Sequence, residues 1–244
     1  MWKFINKAAT ETEPENVELR IEGEIIDDDD VWLYELFEIT ATSPNAFRDE
    51  LKQHDGKALN IWIDSYGGSV FAATGMYTAL MERKGANEIK IIKAMSAATL
   101  PAMAGHSGIS PGAMFMIHDP LVGLMGYFNS SDLNQYLKFL DGVKETIIDA
   151  YQTKTSLSRN KIREMMADEE YMSAKAAVKN GFVDEVMYSE KQEPVDMSFA
   201  RRSIVNNSLD AVKRLVAIQK PKEPPKDDGK LKIAKAKLNL ELAI

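Results

Sequence analysis

Three side chains in this sequence are of the types that together break acyl bonds: a serine, a histidine and a carboxylate. Ser96 heads the run of small and apolar residues in "KAMSAATLPAMAGHSG". Where a strand hands over to a helix, a serine meets free backbone N–H groups and the positive end of the helix dipole. That setting stabilises a developing oxyanion, with the N–H of Ala97 as the nearest donor. The same position equally suits a plain N-cap serine. His118 closes the apolar strand "MFMIHDP", and the C-terminal ends of parallel strands are where α/β sites gather. The chain holds only His54, His106 and His118. His54 lies in the charged and expectedly exposed "LKQHDGK", and His106 follows Gly105 in what reads as a loop. His118 is thus the best placed base, its alternative being a satisfied half-buried histidine. An imidazole base needs a third group to orient it and to stabilise its cation. "MMADEEYMSAKAA" offers Asp168, Glu169 and Glu170 at a helix end, a stretch that also reads as a solvated acidic patch.

The elements that must position these residues follow from periodicity. "VELRIEGEI" (17–25) alternates and predicts a strand. "DDDD" (27–30) predicts a solvated turn or helix start, since four consecutive carboxylates do not converge on one ion unaided. "SPNAFRDELKQ" predicts a helix capped by Ser43, with Pro44 at its first position. "KALNIWID" (57–64) predicts a strand. "SYGGS" (65–69) follows, a two-glycine turn that lets the backbone approach a ligand or present the Gly68 N–H. It matches neither GxGxxG nor the P-loop pattern, and a tight turn without a ligand fits it too. Next come a helix from Val70 to about Gly85, the strand "NEIKIIKAM" and the strand "AMFMIHDP" (113–120). A helix beginning at Ser96 would meet Pro101 in its second turn, so it must start later or kink there. A long helix over about 130–153 should bury Leu133, Tyr136, Leu137, Leu140, Val143, Ile147 and Ala150. Shorter helices follow over 158–170 and from Ser173 to Gly181, then the short strand "FVDEVM". Alternating strands and helices predict an α/β domain with largely parallel pairing. Its expected bounds are 17–188, between a flexible segment 1–16 and a tail 189–244. That tail would comprise a helix, the linker "KPKEPPKDDGK" and a terminal segment of open conformation, a removable targeting or scaffold-binding piece.

Composition narrows the class. The 244 residues are 45% hydrophobic and 27% charged, with a formal net charge of −7. An acidic balance argues against nucleic-acid binding through a basic face. The absence of cysteine excludes disulfides, thiol nucleophiles and thiolate metal sites. The N-terminus turns polar too soon for a signal peptide, and no apolar run approaches the roughly 20 residues that span a bilayer. The expectation is a cytoplasmic protein, and the serine, histidine and carboxylate chemistry above would need no metal or cofactor.

The order and spacing of the pieces carry more than each alone. "SYGGSVFAATGMY", "MSAATLPAMAG", "PGAMFMIHDP" and "ADEEYMSAKAAVKNGFVDEV" resemble, in that order, the proteolytic subunit of the Clp protease family. The closest resemblance is to its phage and prophage branch, the head maturation (prohead) proteases, and it covers 17–188. It implies a ClpP/crotonase-like superhelix of ββα units and a serine endopeptidase with a Ser–His–acid triad. Carried onto this chain, the nucleophile is Ser96, the base His118 and the acid Glu169, with Asp168 as the alternative acid. The oxyanion donors are the N–H groups of Gly68 and Ala97. The backbone of Ser69–Val70 and Leu121–Val122–Gly123 would hold the substrate peptide as an added strand. The resemblance further implies homo-oligomeric rings, hexameric or heptameric. It implies capsid or scaffold proteins as substrates, met in the bacterial host cytoplasm or inside a phage prohead. Two other functions remain open: a proteolytically inactive shell or scaffold component of the same fold, and a crotonase-type acyl-CoA enzyme that uses paired N–H donors without a serine nucleophile.

Overall fold

The computed structural model describes residues 6–7 and 16–189. In chain order its elements are β1 (Asn6–Lys7), β2 (Asn16–Ile25), α1 (Val31–Leu36), β3 (Ala41–Thr42), α2 (Pro44–Gln53), β4 (Leu59–Gly68), α3 (Val70–Glu82), β5 (Asn87–Met95), β6 (His106–Ile117), α4 (Ser130–Gln152), α5 (Arg159–Ala167), β7 (Glu170–Ser173), α6 (Ala174–Lys179) and β8 (Glu185–Val186). Single turns of 3-10 helix cover Asp28–Asp30, Ser96–Thr99 and Pro101–Met103.

Period-two patterning produces the sheet. In β4, Leu59, Ile61 and Ile63 point inward while Asn60, Trp62 and Asp64 point outward. The strands pair in the order β1-β2-β4-β5-β6-β7, with β3 added on β2 and β8 on β6. Pairing is parallel from β2 through β6. Ile21, Ile63, Ile91 and Ile109 fall in one register row, each fully buried. Removing such a side chain from water contributes about 2 kcal/mol. The inner face is covered by Phe47 and Leu51 of α2, by Ala72, Met76 and Leu80 of α3, and by the buried residues of α4 and α5. This is the expected α/β class, and the strands and helices expected between 17 and 188 are present, apart from a regular helix after Ser96.

Several elements differ from the sequence expectation. β6 begins at His106, so that histidine opens a strand instead of sitting in a loop. β4 runs on through the two glycines, because Gly67 and Gly68 still pair with Glu24 and Ile25. Ser43 stands at the N-cap of α2, but its hydroxyl makes no capping bond. His54 is partly buried, with Nε2 3.2 Å from Glu50 Oε1. In α4 only the C-terminal part of the expected face is buried, through Val143 and Ile147 with Ile148 and Tyr151, whereas Leu133 and Leu137 are exposed. A period-3.6 stripe shows which face is apolar, not how far along the helix a partner extends. The short α1, β3 and β7 carry too few residues to show a period, and β1 lies within the segment read as flexible. The expected tail 189–244, with its helix and linker, lies outside the described residues.

The chain divides into two compact units. The described part of the second is Val122–Leu137, while the first holds the sheet and the remaining described helices. Within the second, Phe128 meets Tyr136 edge-on at 5.8 Å, and Asn129 Oδ1 accepts the N–H groups of Ser131 and Asp132 to start α4. Among the described residues no helix is long and apolar enough to cross a membrane.

Candidate active site

β5 and β6 lie side by side and parallel, with Met95 opposite Met116. The residues just past their C-terminal ends are Ser96 and, after Ile117, His118. Ser96 Oγ and His118 Nε2 are 2.6 Å apart. With the ring proton on Nδ1, Nε2 accepts the serine hydroxyl, the arrangement a base needs to remove that proton.

The serine is not a helix cap. Its backbone has φ +54°, a left-handed conformation costly for a residue with a Cβ. The chain then makes two successive 3-10 turns instead of one helix, and Met95 at the N-cap offers no side-chain bond. Pro101 explains the break: it opens the second turn, where its missing N–H leaves no gap. Ala97, Ala98, Leu100, Ala102, Met103 and Ala104 are buried as expected, which leaves the Ser96 hydroxyl as the polar group at the open end.

The glycine pair of β4 packs against this turn. A Cβ on Gly67 would lie 2.7 Å from Met95 O, 2.8 Å from Ser96 Cβ and 2.9 Å from Ala97 N. A Cβ on Gly68 would lie 2.0 Å from Ile25 O. Their φ values of +103° and +141° also require glycine. Ser65, fully buried, fixes the pair: its Oγ donates to Gly23 O at 2.6 Å and accepts the Gly67 N–H at 3.0 Å. Sequence reasoning missed Ser65, although a serine two residues before a glycine turn is an ST-turn signal.

Ser69 takes a different place from the one expected. Its N–H donates to Ile25 O at 2.8 Å and its carbonyl accepts the Ala73 N–H at 3.0 Å. Its Oγ accepts the Ala72 N–H and donates to Asp27 Oδ1. Both backbone groups are engaged, so Ser69 is the cap of α3 and not a free rung for a substrate strand. Val70 opens α3. Leu121 and Val122 are exposed, and nothing approaches the Cβ direction of Gly123.

Sheet register brings the backbone of Glu169 near that of the histidine. β7 runs antiparallel to β6 with Ile117 opposite Glu170 as the last pair, and His118 and Glu169 each stand one residue beyond it. The N–H groups of Asp119 and Glu169 both donate to Met166 O, at 3.1 and 3.2 Å, which ties the two segments to one point. Glu169 has φ +49° and follows Asp168, the C-cap of α5. Burial pushes the His118 imidazole below the usual histidine value, and the charges of Glu169 and then Asp119 act to raise it. Asp119 Oδ2 in turn pairs with Lys144 at 2.6 Å. A neutral imidazole at pH 7 is the state a general base requires.

The other histidines lie elsewhere. His106 Nδ1 is 3.2 Å from both carboxylate oxygens of Glu88, at the opposite ends of β5 and β6 from Ser96. Glu185 brings a third metal-capable atom within 4.8 Å there, on an exposed edge remote from the serine.

Comparison with known proteins converges on one family. The Clp protease family matches residues 49–190. The ATP-dependent Clp protease proteolytic subunit of Deinococcus radiodurans is 29% identical over 139 residues, covering 55% of this chain and 67% of that protein. The chain therefore belongs to the Clp protease family, a family of peptidases.

Proposed function

We propose that this Clp protease family member is a serine endopeptidase working through Ser96, His118 and Glu169. The observation that carries this is the 2.6 Å contact between Ser96 Oγ and His118 Nε2 at the ends of adjacent parallel strands. Ser96 Oγ attacks the scissile carbonyl while His118 Nε2 takes its proton. The N–H groups of Gly68 and Ala97 hold the oxyanion. His118 then protonates the leaving amine, and water releases the acyl group from Ser96 by the same steps in reverse roles. The Glu169 carboxylate stabilises the imidazolium through its charge, consistent with its upward pull on His118. The chemistry calls for no nucleotide or metal. The substrate peptide runs beside Val70 and Leu121, and Asp168, as the cap of α5, is the lesser candidate acid.

Intact mass after incubation with a fluorophosphonate tests this. One adduct on the wild type, lost in Ser96→Ala, is expected; an equal adduct on both would sink the assignment. The biological reading is a ring of six or seven copies that trims capsid or scaffold proteins in a bacterial host. Exposed apolar side chains such as Trp32, Leu36 and Phe71 support self-association. A monomer by light scattering at working concentration would refute the ring.

A further inference from the structure

The nucleophile turn carries a buried polar pair that its apolar neighbours do not require. Thr99 Oγ1 lies 2.5 Å from Ser96 O and 2.6 Å from Tyr151 Oη. Thr99 is fully buried and Tyr151 is 2% exposed. Valine and phenylalanine would fill the same volumes without two hydroxyls to satisfy. The direction of the bonds follows from valence. A carbonyl only accepts, so the single Thr99 proton goes to Ser96 O. Tyr151 must then donate to Thr99 Oγ1. Burial pushes the Tyr151 phenol well above its ordinary value, against the pull of the Thr99 bond, so the donor keeps its proton.

Ser96 O belongs to the same peptide unit as the N–H of Ala97. That unit is planar, so a bond on its oxygen sets where its N–H points, on the opposite side. Hydrogen bonds in such a row also polarise one another. We propose that Thr99 and Tyr151 are positioning residues, a hydroxyl chain that orients and polarises the peptide whose N–H holds the oxyanion. The proposal rests on the serine peptidase reading above.

The far end of the chain is anchored to the histidine's strand. The Tyr151 ring meets Phe182 edge-on at 5.3 Å, and Phe182 meets Phe115 at 5.6 Å. Phe115 lies on β6 three residues before His118, opposite Ala94 of β5. Tyr151 thus grips the strand that delivers the base and the turn that delivers the nucleophile, and holds the strained φ of Ser96 in place.

Peptide hydrolysis, fluorophosphonate labelling and peptide boronate binding on the full chain test this with Thr99→Val, Thr99→Ser, Tyr151→Phe and Ser96→Ala. Loss of an oxyanion donor itself costs 10²–10³ in kcat, and misaiming one costs less. Thr99→Val should lower kcat about 10-fold with KM within twofold of wild type, and weaken boronate binding by the same factor. Tyr151→Phe should lower kcat about threefold, and Thr99→Ser, which keeps the hydroxyl that Thr99→Val removes, should hold kcat near wild type. Wild-type kcat in Thr99→Val overturns the proposal. So does a loss that Thr99→Ser fails to rescue, or one that appears in KM alone. A wild type that takes no fluorophosphonate, or takes it equally as Ser96→Ala, overturns the peptidase reading and the positioning role with it.

Discussion

Replacing Gly67 with alanine should show how closely β4 is shaped to the serine turn. The new methyl would meet Met95 O, Ser96 Cβ and Ala97 N at 2.7, 2.8 and 2.9 Å, against backbone and a short side chain that cannot swing away. Each must retreat by roughly half an ångström to reach ordinary contact. The φ of +103° adds strain of about 1–3 kcal/mol for any residue with a Cβ. Together these cost about 2–3 kcal/mol, or a fall in Tm of roughly 5–10 °C for a domain of this size. The larger effect lies in rate. Misplacing a reacting group by about 1 Å can cost 100-fold, so a half-ångström shift of Ser96 and Ala97 should lower kcat/KM by about 10- to 100-fold. Gly75 is the control. It lies within α3, and a Cβ there would meet Pro44 Cβ of α2 at 3.6 Å, an ordinary contact. Gly75→Ala should raise stability by about 0.5–1 kcal/mol through helix propensity and leave kcat unchanged. The assay is hydrolysis of a fluorogenic peptide beside a thermal melt for both variants. Gly67→Ala with a kcat/KM within threefold of wild type would refute the claim that this glycine is shaped to the serine turn.

The remaining predictions concern charge. Burial disfavours the His118 imidazolium, so the acid limb of kcat/KM should lie below the ordinary histidine value of about 6.5. Because Glu169 raises the His118 value, Glu169→Gln should move that limb further down while slowing the rate at its plateau; a limb that moves up would contradict the pairing. Folding stability should follow the same sign: as pH falls through about 6.5 the unfolded chain takes up a proton that folded His118 resists, so stability is lost on the acid side. At the other end of the sheet, Lys154 Nζ donates to Asp184 at 2.7 Å, to Gly105 O at 2.6 Å and to Ser107 Oγ at 2.8 Å. Burial pushes the Asp184 carboxyl up, but the bonds from Lys154 and Ser107 outweigh it and hold it low. Lys154→Met should cost about 2 kcal/mol in a denaturant titration, less than for a fully buried pair because Asp184 is partly exposed. Asp184→Asn in the same chain should recover part of that loss, and no recovery would mean that the lysine acts through packing alone.

Much of this arrangement was legible in the residues because it rests on local signals. Alternation in β2, β4 and β5 marked the sheet, and Gly181 and Ser173 bracketed α6 as expected. Ser96 and His118 were legible from their places at strand ends. What the sequence hid depends on pairing between distant segments. His106 looked like loop because Gly105 stops the preceding turn, yet the strand that starts there is defined by Glu88 opposite it. The outer half of the α4 stripe looked like core because periodicity records a face and not its neighbour. Ser69 looked like open backbone because nothing near it in sequence shows that Ile25 O takes its N–H. Thr99 and Tyr151 are 52 residues apart and carried no motif.

The acid shows why fold and site are legible to different degrees. Glu169 sits in an acidic run whose natural reading is a solvated helix end, and its own side chain is exposed. Its relation to His118 exists only because β7 turns antiparallel against the strand that ends at Ile117. Among the described residues four non-glycines have positive φ, and two of them are Ser96 and Glu169. Most of the described residues adopt the conformation they prefer. These two do not, and the surrounding bonds that hold them there, from Thr99 to Ser96 O and from the Glu169 N–H to Met166 O, are the physical expression of that constraint. At Glu169 that backbone also suits the residue that follows the C-cap of α5, whereas no helix end calls for it at Ser96, so the strain that sets this site apart is concentrated in the serine turn.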